Sequence, residues 1–539
     1  MRAGVVAGCV ALASWLPFGC GRNPEPPPPN PHQTTVVPDG GTDSGTDSGI
    51  DAGTDAGSGS GVDSGTDAGV DAGTDAGTDA GTDAGTDAGV DAGTDGGSEP
   101  SGPGYDEPVP ATVTELAPKG GFQLFSLKHA DGTPVTVNGI TADEGGNLWV
   151  AGGTDGLFLL RSGSTTWEQF TMKDGLHPYG YMHDGSEAPG PHYLETLSVA
   201  GGPAGTVFVG YRGRPVAGQD DGCQSNWTKE GTGDPSIYKS GDADRVTLTQ
   251  DPAHPLSVVH YDIFSGPGMV ADEMKGREKV CSIYRILYDR DRANVWFGGN
   301  HGFAWGNPTW PGSAATQCFG PVEAPSNYGN YNCSGVFEHI HPGAVACNGG
   351  PCTYRYYGFS TSPDGSLWVG GWIRSLHYDF GAHGGGFFTY MNNQFDPSWQ
   401  FDVWPDSDAH PGSVHGWDDQ VTSVAAMGDG SAYYGSWGWG LAHIGADGSI
   451  GYLTQHDGLL DDHVTGLARD THNGESLWVG GNYDGLSRLQ NGHFTYFDSA
   501  SLGLDPTVPV SDVQIDSSHS PRRVLVGFTS GVVGLYSGN

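Results

Sequence analysis

Positive charge is scarce in this 539-residue chain: 23 Lys and Arg stand against 63 Asp and Glu, for a net charge of −40. A surface of that sign repels a phosphate backbone, so nucleic-acid binders are excluded. Long apolar runs are missing beyond the first twenty residues, which excludes a bundle of spanning helices. There is no Gly-x-Ser-x-Gly elbow, phosphate loop or dinucleotide fingerprint, so the chemistries those motifs serve have no support. Hydrophobic residues are only 36% of the total, yet Trp reaches 15 and Gly 92. Such averages describe two unlike parts.

Residues 1–19 read as a signal peptide, with one Arg, an apolar run from Ala3 to Phe18 and small residues after it. Leu16-Pro17-Phe18-Gly19-Cys20 resembles a bacterial lipobox, which implies lipidation at Cys20 and an outer-membrane lipoprotein. Residues 20–115 follow as a Pro-rich stretch and then a four-residue Thr/Val-Asp-Ala-Gly array. From Asn23 to Glu115 there are 19 acids and no Lys or Arg. With almost nothing apolar to bury, this segment reads as a disordered, self-repelling tether. A coil of its length spans on the order of 50 Å.

From residue 116 the composition changes and a repeat emerges. Ile140-Thr-Ala-Asp-Glu-Gly-Gly-Asn-Leu-Trp149-Val-Ala-Gly, Phe359-Ser-Thr-Ser-Pro-Asp-Gly-Ser-Leu-Trp368-Val-Gly-Gly and Leu467 through Trp478-Val-Gly-Gly are its clearest copies. Weaker ones centre on Phe208, Trp296, Tyr433 and Leu525, seven in all. Each copy implies four short strands with turn residues between them, the pattern of a propeller blade. The repeats resemble the propeller repeats in the sensor regions of bacterial hybrid two-component regulators. That resemblance implies an all-β, seven-bladed propeller over 116–539; with no kinase or DNA-binding region alongside, it does not imply signalling.

The last copy stops after a third strand, Gly531-Val-Val-Gly-Leu-Tyr, while Gly121-Phe-Gln-Leu-Phe-Ser looks like an orphan outer strand. Residues 121–127 are therefore expected to complete the final blade and remove an open edge. Extra length sits at 211–280 and 305–355, and the folded region's six cysteines lie there or at the borders. An even number in an exported chain implies disulfides. Sequence proximity pairs Cys223 with Cys281, Cys318 with Cys333 and Cys347 with Cys352. Zinc is the rival reading of these cysteines, and His339-Ile-His341 alone is too little for a metal site.

Propeller geometry puts the loops between second and third strands, and those entering each first strand, on one face. Trp372, Trp417, Trp437, Trp439, His463, Tyr483 and His301 fall in such loops and are the candidate ligand residues; His177, Tyr179, Tyr181, Asn300, Arg374 and His415 share them. Rings that stack beside groups that hydrogen-bond suit a glycan, a peptide or a protein surface. No cofactor, metal or catalytic residue is assigned, and contact with the membrane is expected through the lipid alone. The reading is a ligand- or partner-binding module at the cell surface. A propeller enzyme (a lyase resembling streptogramin lyases, or a glycan hydrolase) and an adhesive surface protein are the alternatives. Cys20→Ser is expected to move the protein from the membrane to the soluble fraction on cell fractionation; persistent membrane association would sink the lipidation reading.

Overall fold

The computed structural model describes residues 107–180, 192–214, 240–261, 263, 280–300, 302–312, 336–340, 346–347, 350–351, 355–371, 374–378, 390–391, 394–395, 402–403 and 420–538. All lie in the unit Ser98–Asn539. The signal peptide, Cys20 and the acidic array fall outside the described residues.

Seven sheets of antiparallel strands form the blades. Blade 1 is Gly139–Ala142, Leu148–Ala151, Leu157–Leu160 and Trp167–Phe170, in that order across the sheet. Blades 2 to 6 repeat it, with first strands at Thr196–Gly201, Ile283–Asp289, Tyr356–Thr361, Val421–Ala426 and Val464–Asp470. Blade 7 holds Val510–Asp516, Arg523–Phe528 and Val532–Tyr536. Each first strand packs beside the first strands of both neighbouring blades, and that of blade 7 meets that of blade 1, so the ring is closed. The seven repeat copies are the seven second strands, Trp149, Phe208, Trp296, Trp368, Tyr433, Trp478 and Leu525 occupying one position.

The chain ends meet as expected. Phe122–Lys128 pairs antiparallel with Val532–Tyr536, Phe122 opposite Tyr536 and Phe125 opposite Val533. Its side chains seal two seams. Phe122 packs edge-on against Phe497 of blade 6 at 5.6 Å, while Phe125 and Leu127 join the cluster containing Ile140 and Val150 of blade 1. A fifth strand, Thr112–Lys119, adds outside it and was not foreseen from the sequence. Its residues are mostly exposed, so no apolar alternation marks it. Nor are the two insertions continuous blocks. Ala243–Leu248 and Leu256–Tyr261 return to the sheet within 211–280, and Val336–Ile340, which contains His339, is the fourth strand of blade 3.

The strand tryptophans belong to the core. Trp149, Trp296 and Trp478 are fully buried and Trp368 nearly so. Trp149 Nε1 donates to Asp143 Oδ2 at 2.9 Å, and Trp478 Nε1 to Asp470 Oδ2 at 3.3 Å. Each aspartate ends a first strand or opens its turn, so the indole and the hairpin brace one another. Asp470 also holds Arg522 of the next blade at 2.5 Å. The turn at Ser362–Ser366, which resembles a sialidase Asp-box in sequence, is a plain hairpin turn in which Asp364 Oδ1 accepts from the Ser366 N–H at 2.8 Å.

The glycine two places after each repeat aromatic is the seam between blades. A Cβ on Gly370 would stand 2.3 Å from Val421 Cγ1 of blade 5. One on Gly435 would meet Val464 Cγ1 at 2.5 Å, on Gly480 Val510 Cγ1 at 2.5 Å, and on Gly527 Val137 Cγ1 at 2.9 Å. Gly210 and Gly298 are equally tight against Ile283 and Phe359. Only blade 1 has a side chain here, Ala151, clustered with Val199. Gly370→Ala and Gly480→Ala should each lower the unfolding free energy by about 1–3 kcal/mol through overpacking. Ala151→Gly should cost about 1 kcal/mol or less. Urea titration checks both, and unchanged midpoints for the glycine variants would refute the seam. Deleting residues 107–128 is expected to lower Tm sharply, because it uncovers Phe497 and leaves Val532–Tyr536 as an edge.

Candidate functional site

One face of the ring is built from two sets of equivalent positions. The first is the residue four beyond the repeat aromatic: Gly153, Arg212, Asn300, Trp437, Asn482 and Thr529 among the described residues. The second immediately precedes each first strand: Asn138, Glu195, Ser282, Arg355, Gln420, His463 and Pro509. A recurring hydrogen bond joins the sets. The N–H of Arg212, Asn300, Trp437, Asn482 and Thr529 donates to the carbonyl of Glu195, Ser282, Gln420, His463 and Pro509 respectively. The bond is made by the backbone, so the side chains differ from blade to blade: Arg212, Arg355, Trp437, His463 and Asn482 are half-buried at the channel mouth, whereas Asn138, Ser282 and Asn300 are buried and bonded to neighbouring backbone. Six of the seven first strands then carry a register shift one or two residues inside the mouth. Bulges of this kind re-aim side chains at functional rims.

At blades 5 and 6 the rim is aromatic and acidic. Trp437 and His463 form an isolated β-bridge, their rings edge-to-face at 5.3 Å. His463 and Tyr483 lie 5.7 Å apart at 88°. Asp461, nearly buried, fixes this group: its Oδ1 lies 3.2 Å from His463 Nδ1 and accepts from the His463 N–H, and its Oδ2 accepts from the Tyr483 N–H at 2.7 Å. Gly438 and Gly440, at φ +102° and +75°, turn the chain between strands so that both N–H groups donate to the Asp462 carbonyl. Trp439 sits inside that turn, half-buried, its N–H on Ser436 Oγ. Tyr483 is 45% exposed. Burial raises the Asp462 carboxyl above its ordinary range.

Trp437, Trp439, His463 and Tyr483 are thus neighbours in adjacent blades. Trp372, Trp417 and His301, together with Tyr181 and His415, lie outside the described residues, and Arg374 opens the third strand of blade 4. His177 and Tyr179 lie in the loop entering blade 2, where Tyr179 bridges Ser240 ahead of that blade's third strand, away from the Trp437 patch. Their rings stack on one another at 3.7 Å, and Tyr179 stacks on His192 at 3.8 Å. This cluster caps a buried network in blade 2, where Asp244 takes the Tyr211 hydroxyl at 2.5 Å and lies 2.8 Å from His260 Nδ1. With His260 and Asp244 essentially without exposure, that network is structural.

A second patch of the rim, at blades 2 to 4, escaped the sequence reading. Arg212 Nη1 pairs with Glu195 Oε1 at 3.3 Å, and the Tyr193 hydroxyl donates to Glu195 Oε2. Tyr284 and Tyr357, at the bulges of blades 3 and 4, have ring centroids 5.1 Å apart, and Arg355 lies over Tyr284 at 5.9 Å. Burial opposes the charge on Arg212, but Glu195 more than offsets this and holds the guanidinium above its ordinary value. Burial, then Glu195, pushes the Tyr193 hydroxyl up. The signal was available: Glu195, Arg212 and Arg355 occupy the same two repeat positions as His463 and Trp437. Deeper in the channel, Arg285 of blade 3 reaches Asp512 of blade 7 at 2.8 Å, a pair between non-adjacent blades. Among the described residues no group of three or more His, Cys, Asp or Glu is arranged to hold a metal.

No protein-family model matches the chain, and no curated protein matches it. Among solved structures it is similar to the WD40 β-propeller domain of Doa1, with TM-score 0.41 and 11% identity over 78% of this chain and 97% of that one. It is also similar to YCF48 bound to D1 peptide, with TM-score 0.41 and 13% identity over 81% of this chain and 100% of that one. At this distance neither carries a residue, ligand or activity across.

Tyr483→Ala should change stability by no more than about 0.5 kcal/mol, as for an exposed surface residue. Trp478→Ala, five residues away in sequence and buried, should cost about 3–5 kcal/mol. Asp461→Ala should cost about 1–3 kcal/mol by stranding the two N–H groups it holds. Thermal melts of the three variants separate rim from core; equal losses at Tyr483 and Trp478 would remove the rim from consideration as a binding surface.

Proposed function

We propose that this chain is an exported, lipid-anchored binding module that offers the channel mouth of its propeller to a protein or peptide partner. The observation that carries the reading is the rim itself. A backbone hydrogen bond repeated at five of the seven blades joins two rim positions per blade; Trp437, His463, Arg212 and Arg355 at these positions are half-exposed on one face, set among the buried Glu195, Ser282, Asn300 and Gln420. Aromatic and Arg anchors set among polar groups are the composition of recognition surfaces. A glycan is the alternative ligand for the Trp437–His463–Tyr483 patch, where rings and acceptors alternate.

The address rests on the signal-like start, Cys20 and the long acidic tether, which together would hold the propeller clear of an outer-membrane surface. Disulfides in the insertions belong to the same reading. In support, Cys281 is buried and disulfide-bonded. The likeness to two-component-regulator repeats is taken for architecture alone. A second reading, an exported propeller lyase or glycan hydrolase, is favoured by one observation: the imidazole of His463 is oriented by the nearly buried Asp461, as a general base would be.

Peptide and glycan arrays probed with the Cys20→Ser protein test the reading. Binding is expected, and Trp437→Ala or Tyr483→Ala should weaken it about tenfold or more with Tm held, in line with loss of a stacking ring. Array ligands whose binding ignores both substitutions would overturn the rim as the site. Turnover of a bound glycan, abolished by His463→Ala, would instead establish the enzyme.

A further inference from the structure

Blades 5 and 6 part on their outer side to leave a cleft of about 360 Å3, separate from the rim. Its floor is apolar: Met427, Leu477 and Leu489 belong to the core cluster beneath it, with Leu453 and Phe494 packed on top. One wall is aromatic. Tyr433 stacks on His443 at 4.4 Å and 27°, and His443 stands opposite Gly451 in the sheet, so both rings border the space over that glycine. Phe494, Asn491 and the carboxylates Asp457 and Glu475 complete the lining, which contains no Lys or Arg. Two glycines keep the space open. A Cβ on Gly451 or Gly492 would meet nothing within 4 Å, whereas the strand glycines at the blade seams are in hard contact.

The polar groups are organised. Glu475 Oε1 accepts from Arg469 Nε at 2.5 Å and from the Gly428 N–H at 2.8 Å. Asp457 Oδ2 accepts from the Thr454 N–H at 2.9 Å. Each carboxylate is therefore held in place by one oxygen, and its charge is partly spent on a guanidinium or an N-terminal turn. Burial pulls the His443 imidazole below its ordinary range, so at neutral pH it is an uncharged donor and acceptor.

We propose that this cleft is a second binding site and that its ligand is a neutral saccharide, one or two hexose units of a longer chain. Aromatic faces match the C–H faces of a pyranose, and the fixed carboxylates and Asn491 match its hydroxyl donors. The volume lies at the small end of the range for ligand sites. Two carboxylates without a lining cation disfavour an acidic sugar. A lysine-type ligand is disfavoured too, because Glu475 is already paired with Arg469. The proposal is independent of the rim: it uses other residues on another part of the ring.

Isothermal titration of the Cys20→Ser protein with maltohexaose, cellohexaose, chitohexaose, an oligogalacturonate and hexalysine tests it. At least one of the three neutral oligosaccharides should bind. Gly451→Trp should weaken that binding at least about tenfold with Tm unchanged, since the new side chain enters open space. Phe494→Ala should weaken it also, and Trp437→Ala should leave it as it is. Should Gly451→Trp fail to fold, Phe494→Ala, at a half-buried ring of the lining, decides in its place. Binding of none of the neutral sugars, binding of hexalysine or the oligogalacturonate alone, or neutral-sugar binding indifferent to Gly451→Trp and Phe494→Ala, would overturn the assignment.

Discussion

The approach of one blade to the next rests on the absence of a single carbon atom. At Gly210, Gly298, Gly370, Gly435, Gly480 and Gly527 a side chain would stand within 3 Å of the following blade. Without it, the first strands come close enough to pack edge to edge around the channel. The ring is closed, so strain at one seam is shared by all seven, and the closing strand Phe122–Lys128 needs the same fit on both its faces. The buried tryptophans are the large partners of these small residues. Beside five of these six glycines a wide ring fills the layer further out, with Leu525 in its place beside Gly527, which is why Trp and Gly are both abundant in a chain of low overall hydrophobicity.

That packing decides where variation is permitted. The seams and the hairpin turns are tied by backbone bonds and buried aspartates, and the side chains at the two rim positions differ from blade to blade. Trp437 and His463 stand there at blades 5 and 6, and Glu195, Arg212 and Arg355 at blades 2 and 4. Asp461 shows how such a surface is made rigid. One nearly buried carboxylate sets both the His463 ring and the Tyr483 backbone, so groups from neighbouring loops present a defined arrangement before any ligand arrives.

Glycine serves the opposite purpose at the outer edge of the ring. Gly451 lies in the fourth strand of blade 5, where the sheets have splayed apart and no neighbouring side chain reaches it. The same residue type that lets blades touch near the axis leaves a gap between them at the outer edge, and Phe494, Tyr433 and His443 border that gap instead of filling it. A ring of wedge-like sheets opens outward, so its outer seams are natural places for clefts.

The sequence by itself determined the number of blades, the place of every second strand and the closure of the last blade. Those features follow from a local pattern of apolar residues with a large one, aromatic in six copies, followed two places later by a small one, glycine in six, at the spacing a copy needs to pack on its neighbour. It also placed Trp437, His463 and Tyr483 in loops of one face, since loop order follows from strand order. What tertiary structure alone decided is which loop residues meet. Glu195 and Arg212, 17 residues apart, sit at equivalent repeat positions, but only the folded ring shows that their side chains pair, and nothing in the sequence marks Arg285 and Asp512, 227 apart, as partners. The seating of the His177–Tyr179 loop over a buried carboxylate of blade 2 was decided the same way. Strand Thr112–Lys119 and the cleft beside Gly451 were invisible for a related reason: both are defined by what adjacent sheets leave uncovered, a property of the assembled ring that no single repeat contains.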